Sequence, residues 1–250
     1  MAHALNMYDN EYIKFAYKDE NYVVEIQKDD EPRDPREEDD TNIVKLMCWH
    51  PRHRLGDAHG YKNPDDFLDD MLRKYTNVSE DDAYDMSISE KLTEIHKNSD
   101  IVMLPVYLYE HSGLALYLSA PGGGCDSFDT SMLGWAVLEK EDFLRVGLDS
   151  AAWGAEKAKE IIADEFNVYS QYINGDVYGY TLYDMENEDE PEEIDSCWGF
   201  FGADVVKNGI ADSVPGLMEA IKSGSYTTGI VDCVKGCSQK GLLKNGIKLR

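Results

Sequence analysis

The sequence predicts an α+β protein in which a mixed or antiparallel sheet with hairpins packs against three to five helices. Two observations predict this fold class. Short segments rich in β-branched and aromatic residues are separated by polar, turn-like stretches, which is typical of strands joined in hairpins. Other segments carry apolar side chains at helical spacing. The chain has 250 residues, 42% of them hydrophobic, so a packed core is expected.

Composition also limits where the protein works. No apolar run approaches the ~18 residues of a membrane-spanning helix, and the N-terminus lacks the basic region and apolar stretch of a secretory signal. The five cysteines are few and odd in number, which disfavours a disulfide framework and favours a reducing compartment. We therefore expect a cytoplasmic protein with no membrane association.

The N-terminal part of the chain predicts a hairpin, an acidic loop and a short strand. Residues 11–17 and 21–28 have the composition of strands and are joined by a polar turn. Residues 29–40 hold eight acids and two prolines, which exclude a regular helix or a central strand and indicate an exposed loop. Residues 43–48 are predicted as a short buried strand.

Two helices are predicted next. Asn63 is a good N-cap and Pro64 suits the first helical position, and the apolar residues that follow repeat at helical spacing, which predicts a helix over 64–75. A second helix is predicted over residues 87–97, after a short acidic patch.

The most apolar run of the chain, residues 101–109, is predicted as a central strand. Pro105 lies within it and favours an edge position or a bulge, because proline cannot donate to a strand ladder. Residues 115–118 and 134–138 are predicted as its partners.

The second half of the chain predicts one long helix and more strands. Residues 151–166 form an amphipathic helical pattern. Residues 168–173 and 177–183 flank Asn174-Gly175-Asp176, which predicts a second hairpin because Asn-Gly readily takes the positive φ of tight turns. Residues 194–201 are predicted as the closing strand.

The domain organisation follows from a change in charge near the C-terminus. Residues 223–250 hold five basic side chains against the single acid Asp232, together with five glycines. No other boundary is evident. We therefore predict one acidic α+β domain over residues 1–222 and a basic, glycine-containing tail over residues 223–250.

Residues 48–59 are a candidate metal-binding segment. They hold three of the six histidines, and imidazole and carboxylate groups are the ligands that zinc or iron would take. The metal-ligand candidates are His50, Asp57 and His59. Their spacing matches no established metal-binding pattern.

The same segment also allows an interpretation without a metal. It carries Arg52 and Arg54, which would repel a cation. In this alternative the segment is a basic loop that folds against the acidic residues just upstream, with both arginines paired to carboxylates.

Four residues near the middle of the chain are candidates for catalysis. His111 and Ser112 follow the most apolar strand and offer a base and a nucleophile, although neighbours on a strand point to opposite faces. Cys125 and Asp129 lie in a glycine-containing segment that lacks the Lys-Ser/Thr of a phosphate-binding loop. Nearby carboxylates would raise the pKa of the Cys125 thiol, which disfavours a thiolate nucleophile.

The formal charge of −25 requires an explanation of its own. It suits either a solvated surface that aids solubility or a surface that imitates the phosphates of nucleic acid. Direct binding of nucleic acid is disfavoured because like charges repel. The candidates for partner binding come from the acidic segments and are Asp34, Arg36, Glu37, Asp39, Asp40, Glu190, Glu192 and Glu193.

Seven short motifs resemble, in matching order over about residues 20–205, an uncharacterised protein family found in bacteriophages and other mobile elements. They are Asp34-Pro35-Arg36-Glu37, Cys48-Trp49-His50, Leu55-Gly56-Asp57, Tyr109-Glu110-His111-Ser112-Gly113, Phe128-Asp129-Thr130-Ser131, Gly175-Asp176-Val177-Tyr178-Gly179 and Asp195-Ser196-Cys197-Trp198-Gly199-Phe200. Glu110 stands where the family has aspartate, and the fifth motif departs from the family's tryptophan-aspartate-serine-glycine.

The resemblance implies a setting rather than a mechanism, namely an accessory protein made in the cytoplasm of an infected or element-bearing host cell. Together with the charge, it leads to the hypothesis that the protein binds and modulates a host nucleic-acid or defence enzyme, as a DNA mimic or in another anti-defence role. No cofactor is indicated. The alternative is a hydrolase or a metal-dependent enzyme that uses the His/Asp cluster, so the sequence leaves open whether the protein is an enzyme.

Overall fold

The computed structural model describes residues 4–38, 41–111, 113–119, 130–186 and 191–231. They divide into two units. Unit 1 takes its residues from the chain up to Arg33 and from Gly175 onward, and unit 2 is the continuous segment Asp34–Asn174. The prediction of a single domain over residues 1–222 stays a prediction.

The described strands are all paired antiparallel. In chain order they are β1 (Glu11–Tyr17), β2 (Glu20–Lys28), β3 (Lys45–Cys48), β4 (Ile101–Glu110), β5 (Leu114–Tyr117), β6 (Thr130–Glu139), β7 (Val177–Asp184), β8 (Glu192–Phe201) and β9 (Tyr226–Ile230).

The helices of the described residues lie between these strands. In chain order they are α1 (Pro35–Glu38), α2 (Pro64–Tyr75), α3 (Glu80–Asp85), α4 (Ile88–Ile95), α5 (Lys140–Arg145), α6 (Ala155–Ile173), α7 (Ile210–Ser213) and α8 (Leu217–Ser223), with a 3₁₀ turn at Ser150–Ala152. The α+β prediction is confirmed, and the sheets are antiparallel. None of these helices has the length and apolar character to cross a membrane.

Unit 1 is built on a five-stranded sheet with the order β8-β7-β2-β1-β9. The predicted first hairpin is confirmed, and its turn is made by Lys18 and Asp19, which both have positive φ. One face of the sheet contributes Ile13, Phe15 and Val24 to a core that also contains the apolar residues of α7 and α8. The alternation along β1 and β2 places these side chains on that face.

Unit 2 has a four-stranded sheet with the order β3-β6-β4-β5 and helices on both faces. Leu108 and Leu138 lie in one core cluster with Ile162 of α6. Trp135 and Phe67 belong to a second cluster, which contains apolar residues of α2 and α4. The sheet is therefore buried between two helical layers, which explains the nearly unbroken apolar sequence of β4 and β6.

Pro105 occupies the position that its chemistry requires. β5 pairs only with Tyr107–Glu110, so among the described strands the part of β4 that contains Pro105 is paired with β6 alone. The register between β4 and β6 also shifts between Val106 and Tyr107. Both predicted features, the edge-like position and the bulge, are present.

The predicted second hairpin is wrong. Residues 168–173 continue α6, which ends at Ile173, instead of forming a strand. Phe166 and Tyr169 lie on the same buried stripe as Ile162, so packing on the sheet outweighs the strand preference of these aromatic and β-branched residues. Asn174-Gly175 ends the helix, with Gly175 at φ +67°.

Two other boundaries differ from the prediction. The acidic segment 29–40 contains the one-turn helix α1, which begins at Pro35, where the missing N–H of proline is not needed. The predicted tail 223–250 begins at the last residue of α8, and β9 pairs with β1 at one end of the unit 1 sheet. Residues 232–250 lie outside the described part of the chain.

Candidate functional site

Two of the motifs meet in unit 2 through Arg36. Its Nε and one terminal nitrogen donate to the two oxygens of Asp57 at 2.9 and 2.8 Å, and its other terminal nitrogen lies 3.1 Å from Oε2 of Glu165. Arg36 comes from α1, Asp57 from the loop after β3, and Glu165 from α6. We call these three residues the Arg36 network. The two parallel bonds to Asp57 are the arrangement for which a guanidinium is suited.

The carboxylates of the Arg36 network are also held by the main chain. Glu165 accepts hydrogen bonds from the amides of Ile43 and Val44 at 3.0 and 3.1 Å, and Asp57 accepts one from the amide of Leu46 at 2.8 Å. The Arg36 side chain is only 5% exposed. Burial alone would lower the pKa of its guanidinium, but the hydrogen bonds and charges of Asp57 and Glu165 outweigh it and raise the pKa.

This arrangement changes the predicted role of Arg36. The sequence places it among the partner-binding candidates, but its donors are used inside unit 2 and it is buried. The Asp34 side chain is engaged locally, since it accepts a hydrogen bond from the Arg36 amide at 2.8 Å. The first motif therefore fixes the start of α1 to the β3 segment and to α6.

Gly56 explains why the loop after β3 can come so close to that strand. Its φ is +72°, and a Cβ at this position would lie 2.3 Å from the carbonyl oxygen of Leu46 and 2.8 Å from Sγ of Cys48. The Gly56 amide donates to the hydroxyl of Tyr169 at 2.7 Å. Only glycine fits this conformation and this space, so the Leu-Gly-Asp motif has a structural role.

Cys48 lies beneath the same loop. Burial, followed by the nearby charge of Asp57, raises the pKa of its thiol to about 12. The thiol is therefore protonated at neutral pH and is not a nucleophile or a metal ligand in this state.

Another pair of motifs meets at Glu110, at the end of β4. One terminal nitrogen of Arg52 lies 3.0 and 2.8 Å from the two oxygens of Glu110, and Nε2 of His53 lies 3.1 Å from one of them. Nε2 of His50 lies 3.5 Å from the other oxygen. Burial would raise the pKa of the Glu110 carboxyl, but the charge of Arg52 and the hydrogen bond of His53 lower it overall.

The alternative interpretation expects both arginines to pair with the acidic residues just upstream, and no such pair is present among the described residues. Arg52 reaches Glu110, which lies 58 positions downstream. No hydrogen bond or ion pair joins the Arg54 side chain to another described residue. Strand β4 brings Glu110 to the loop, and this long-range placement has no local signal in the sequence.

The three metal-ligand candidates face different partners. Asp57 is bound by Arg36, His50 is directed to Glu110, and Nε2 of His59 lies 3.0 Å from the carbonyl oxygen of Cys48. His59 also packs on Trp49, with ring centroids 4.7 Å apart. Over the described ranges, no group of three or more His, Cys, Asp or Glu side chains could hold a metal ion.

A large cleft lies above this loop in unit 2, with a volume of about 1040 Å³. Its lining is rich in basic side chains, and we call it the cationic cleft. The basic residues are Arg36, Lys45, His50, His53, Arg54, His59, Lys62 and Arg145, and the acidic residues are Asp34, Glu37 and Asp57.

The catalytic candidates are only partly within the described chain. His111 is exposed, its amide donates to the carbonyl of Gly113 at 3.3 Å, and its ring lies 6.2 Å from that of Tyr109. Ser112, Cys125 and Asp129 lie outside the described residues. The hydrolase alternative therefore stays a prediction.

The remaining partner-binding candidates also lie only partly within the described residues. Glu37, Glu192 and Glu193 are exposed. Asp39, Asp40 and Glu190 lie outside the described residues. Their role in binding stays a prediction.

Sequence reasoning misses two carboxylates that organise unit 2. One is Glu165 of the Arg36 network. The other is Glu139 at the end of β6, which binds Lys45 at 2.7 Å and also accepts from Lys74 and Tyr75. Burial opposes ionisation of Glu139, but these donors prevail and lower its pKa to about 2. The only signal for either residue is an acid at the margin of an apolar stripe or strand.

Comparison with known proteins identifies no relative of the chain. No family model, no curated protein and no solved structure matches the chain.

Proposed function

We propose that this chain is an acidic accessory protein of phage or mobile-element origin that binds a basic surface of a host nucleic-acid or defence enzyme and modulates that enzyme. The observation that supports this proposal most directly is the exposed acidic helix α3. Glu80, Asp81, Asp82 and Asp85 are all exposed, and the helix has no basic residue in its last turn. We call these four residues the α3 acidic surface.

The α3 acidic surface also presents an aromatic side chain. Tyr84 lies between the carboxylates and is 88% exposed. Three acids in the first turn suit the helix dipole and the Ser79 cap, so local stability explains part of the charge. It does not explain an exposed tyrosine. Tyrosine is enriched in protein interfaces, where a polar rim commonly surrounds it.

A basic protein is a better partner for this surface than nucleic acid. A chain with a formal charge of −25 repels a phosphate backbone and attracts a surface that has evolved to bind one. Duplex DNA carries about one charge per 1.7 Å of its axis, and a dense row of carboxylates can compete for the same cationic groove.

Binding also agrees better with the described side chains than catalysis does. Cys48 is buried with a raised thiol pKa, and Asp57 is taken up by Arg36 and the Leu46 amide. His50 and His53 are directed to Glu110. These groups hold the fold of unit 2 together.

The proposal is tested by competition with duplex DNA for purified host nucleases and DNA-binding defence enzymes. We expect competition that weakens steeply as the salt concentration rises. The variant D81N/D82N/D85N should weaken competition roughly tenfold or more, because three rim charges are lost. The matched control D164N/D212N/E219Q removes three exposed carboxylates elsewhere and should change competition much less.

Two results would contradict the proposal. One is a lack of competition at low salt for every enzyme tested. The other is an equal loss in both triple variants, which would mean that only net charge matters and that α3 is not a binding surface. Circular dichroism of each variant checks that the fold is retained.

A further inference from the structure

The described lining of the cationic cleft has more basic than acidic side chains, unlike the molecule as a whole. The chain carries 49 acidic and 24 basic side chains, yet the described residues of the lining include five Lys or Arg residues and three histidines against three acids. Asp57 offsets one of these cations, the buried Arg36, and Asp34 is engaged at the start of α1, so the excess depends on the other basic residues. A local cation excess in so acidic a protein creates a site with its own electrostatic preference.

Two of the cations in the cleft are available to a ligand. Lys45 is paired with Glu139 and Asp142, and Arg145 is paired with Asp142. By contrast, no hydrogen bond or ion pair joins the side chains of Arg54 and Lys62 to another residue in the described part of the chain. Both are exposed at the cleft. They can supply a guanidinium fork and an ammonium group on a flexible stem without first breaking a pair with another described residue.

The loop that carries Arg54 is fixed before any ligand arrives. The Trp49 amide donates to the carbonyl of Leu133 at 2.9 Å, and the Asp57 amide donates to that of Leu46 at 2.9 Å. Gly56 is held by Tyr169, and the start of the loop is held by His50 and Glu110. A loop that is already ordered loses little entropy on binding, which favours affinity.

The wall of the cleft also offers an apolar surface. Trp49 and His59 pack together there, and Leu55 lines the same space. A volume of about 1040 Å³ accommodates a small organic molecule together with water. The site thus combines cations at its rim with an aromatic wall, which suits a ligand with an anionic group and an organic body.

We propose that the cationic cleft binds a small molecule that carries a phosphate group, with Arg54 and Lys62 as its principal contacts. A phosphate carries more charge than a single carboxylate and accepts from several donors at once, which matches a guanidinium and an ammonium group. The net charge of the chain opposes the approach of an anion. At physiological ionic strength the Debye length is about 8 Å, so the nearest cations dominate.

The proposal is tested by calorimetric titration of the full chain with three probes at about 0.15 M salt. The probes are inorganic phosphate, adenosine 5′-monophosphate and adenosine. We expect the two phosphate-bearing probes to bind and adenosine to fail. Tighter binding of the nucleotide than of inorganic phosphate would assign the site to phosphate esters, and equal binding would assign it to the phosphate group alone.

Variants separate this site from a general effect of charge. R54Q/K62Q should weaken phosphate binding about tenfold or more, because two charge-assisted contacts are lost. K157Q/K159Q removes two exposed lysines of α6 in the same unit, outside the cleft, and should leave binding unchanged. R54K should bind with intermediate strength, because it keeps the charge and loses the fork.

The proposal is overturned if neither phosphate-bearing probe binds at millimolar concentration, or if R54Q/K62Q binds as tightly as the unaltered chain. It is also overturned if adenosine binds as well as its monophosphate, because the phosphate group would then contribute nothing. Thermal unfolding of each variant establishes that a loss of binding is not a loss of fold. Because the α3 acidic surface is unchanged in R54Q/K62Q, competition with DNA should persist in that variant.

Discussion

At the scale of single residues, Arg36 shows what the sequence reveals and what it does not. The motif around it is visible, and an acidic neighbourhood suggests exposure. The structure instead buries its side chain between Asp57 and Glu165, and the latter lies 129 positions away. A partner so distant leaves no local pattern, since ion pairs across a fold depend on how helices and strands pack. The role of Arg36 is therefore only accessible from the structure.

We predict that R36Q destabilises unit 2 by about 3–5 kcal/mol, because it leaves two partly buried carboxylates without their cation. The same change at Arg52, whose side chain is 69% exposed, should cost about 1 kcal/mol or less. Urea unfolding of both variants measures the difference. Equal effects of the two substitutions would show that the Arg36 network contributes no more than a surface ion pair.

At the scale of secondary-structure elements, prediction succeeds where signals are local. The helix over residues 64–75 is predicted with its correct bounds because Asn63 caps it and Pro64 begins it, and the structure shows the Asn63 side chain accepting from the Asp66 amide. The prediction fails at the end of α6, because Asn-Gly can either close a hairpin or end a helix. Packing on the sheet decides between the two, and packing is not a local property.

We predict that G175A costs about 1 kcal/mol, because alanine disfavours the positive φ that ends α6. G175N should cost less, since asparagine tolerates this conformation better than alanine. The control is G60A, at a glycine without a positive φ and with open space around its Cβ position. Thermal unfolding compares the three variants. Equal costs for G175A and G60A would contradict this role of Gly175.

At the scale of the whole molecule, the net charge of −25 is the dominant property. Most described lysines and arginines near the unit 2 core are used in ion pairs, which leaves exposed carboxylates such as those of α3 in excess. Their mutual repulsion disfavours the folded chain, where they are closer together than in the unfolded one. Composition alone predicts this excess, whereas the location of the cationic cleft depends on the fold.

We predict that raising NaCl from about 0.01 M to about 0.15 M increases the melting temperature, because the Debye length shortens from about 30 Å to about 8 Å. KCl should act equally, which separates screening from binding of a particular ion. The triple variant D164N/D212N/E219Q should respond less than the unaltered chain. A melting temperature that falls as salt is added would mean that ion pairs outweigh repulsion.

The division of unit 1 into two chain segments has a consequence for how the protein is made. Leu5 and Asp204, which are hydrogen-bonded, lie 199 positions apart, and β2 cannot meet β7 until the chain of unit 2 has been synthesised. Unit 2 is continuous from Asp34 to Asn174, and the described strands of its sheet all lie in that segment. The entropy lost on closing a loop grows with the length of its flexible part. A unit 2 that folds while the ribosome is still adding unit 1 residues therefore shortens the loop that the later strands must close.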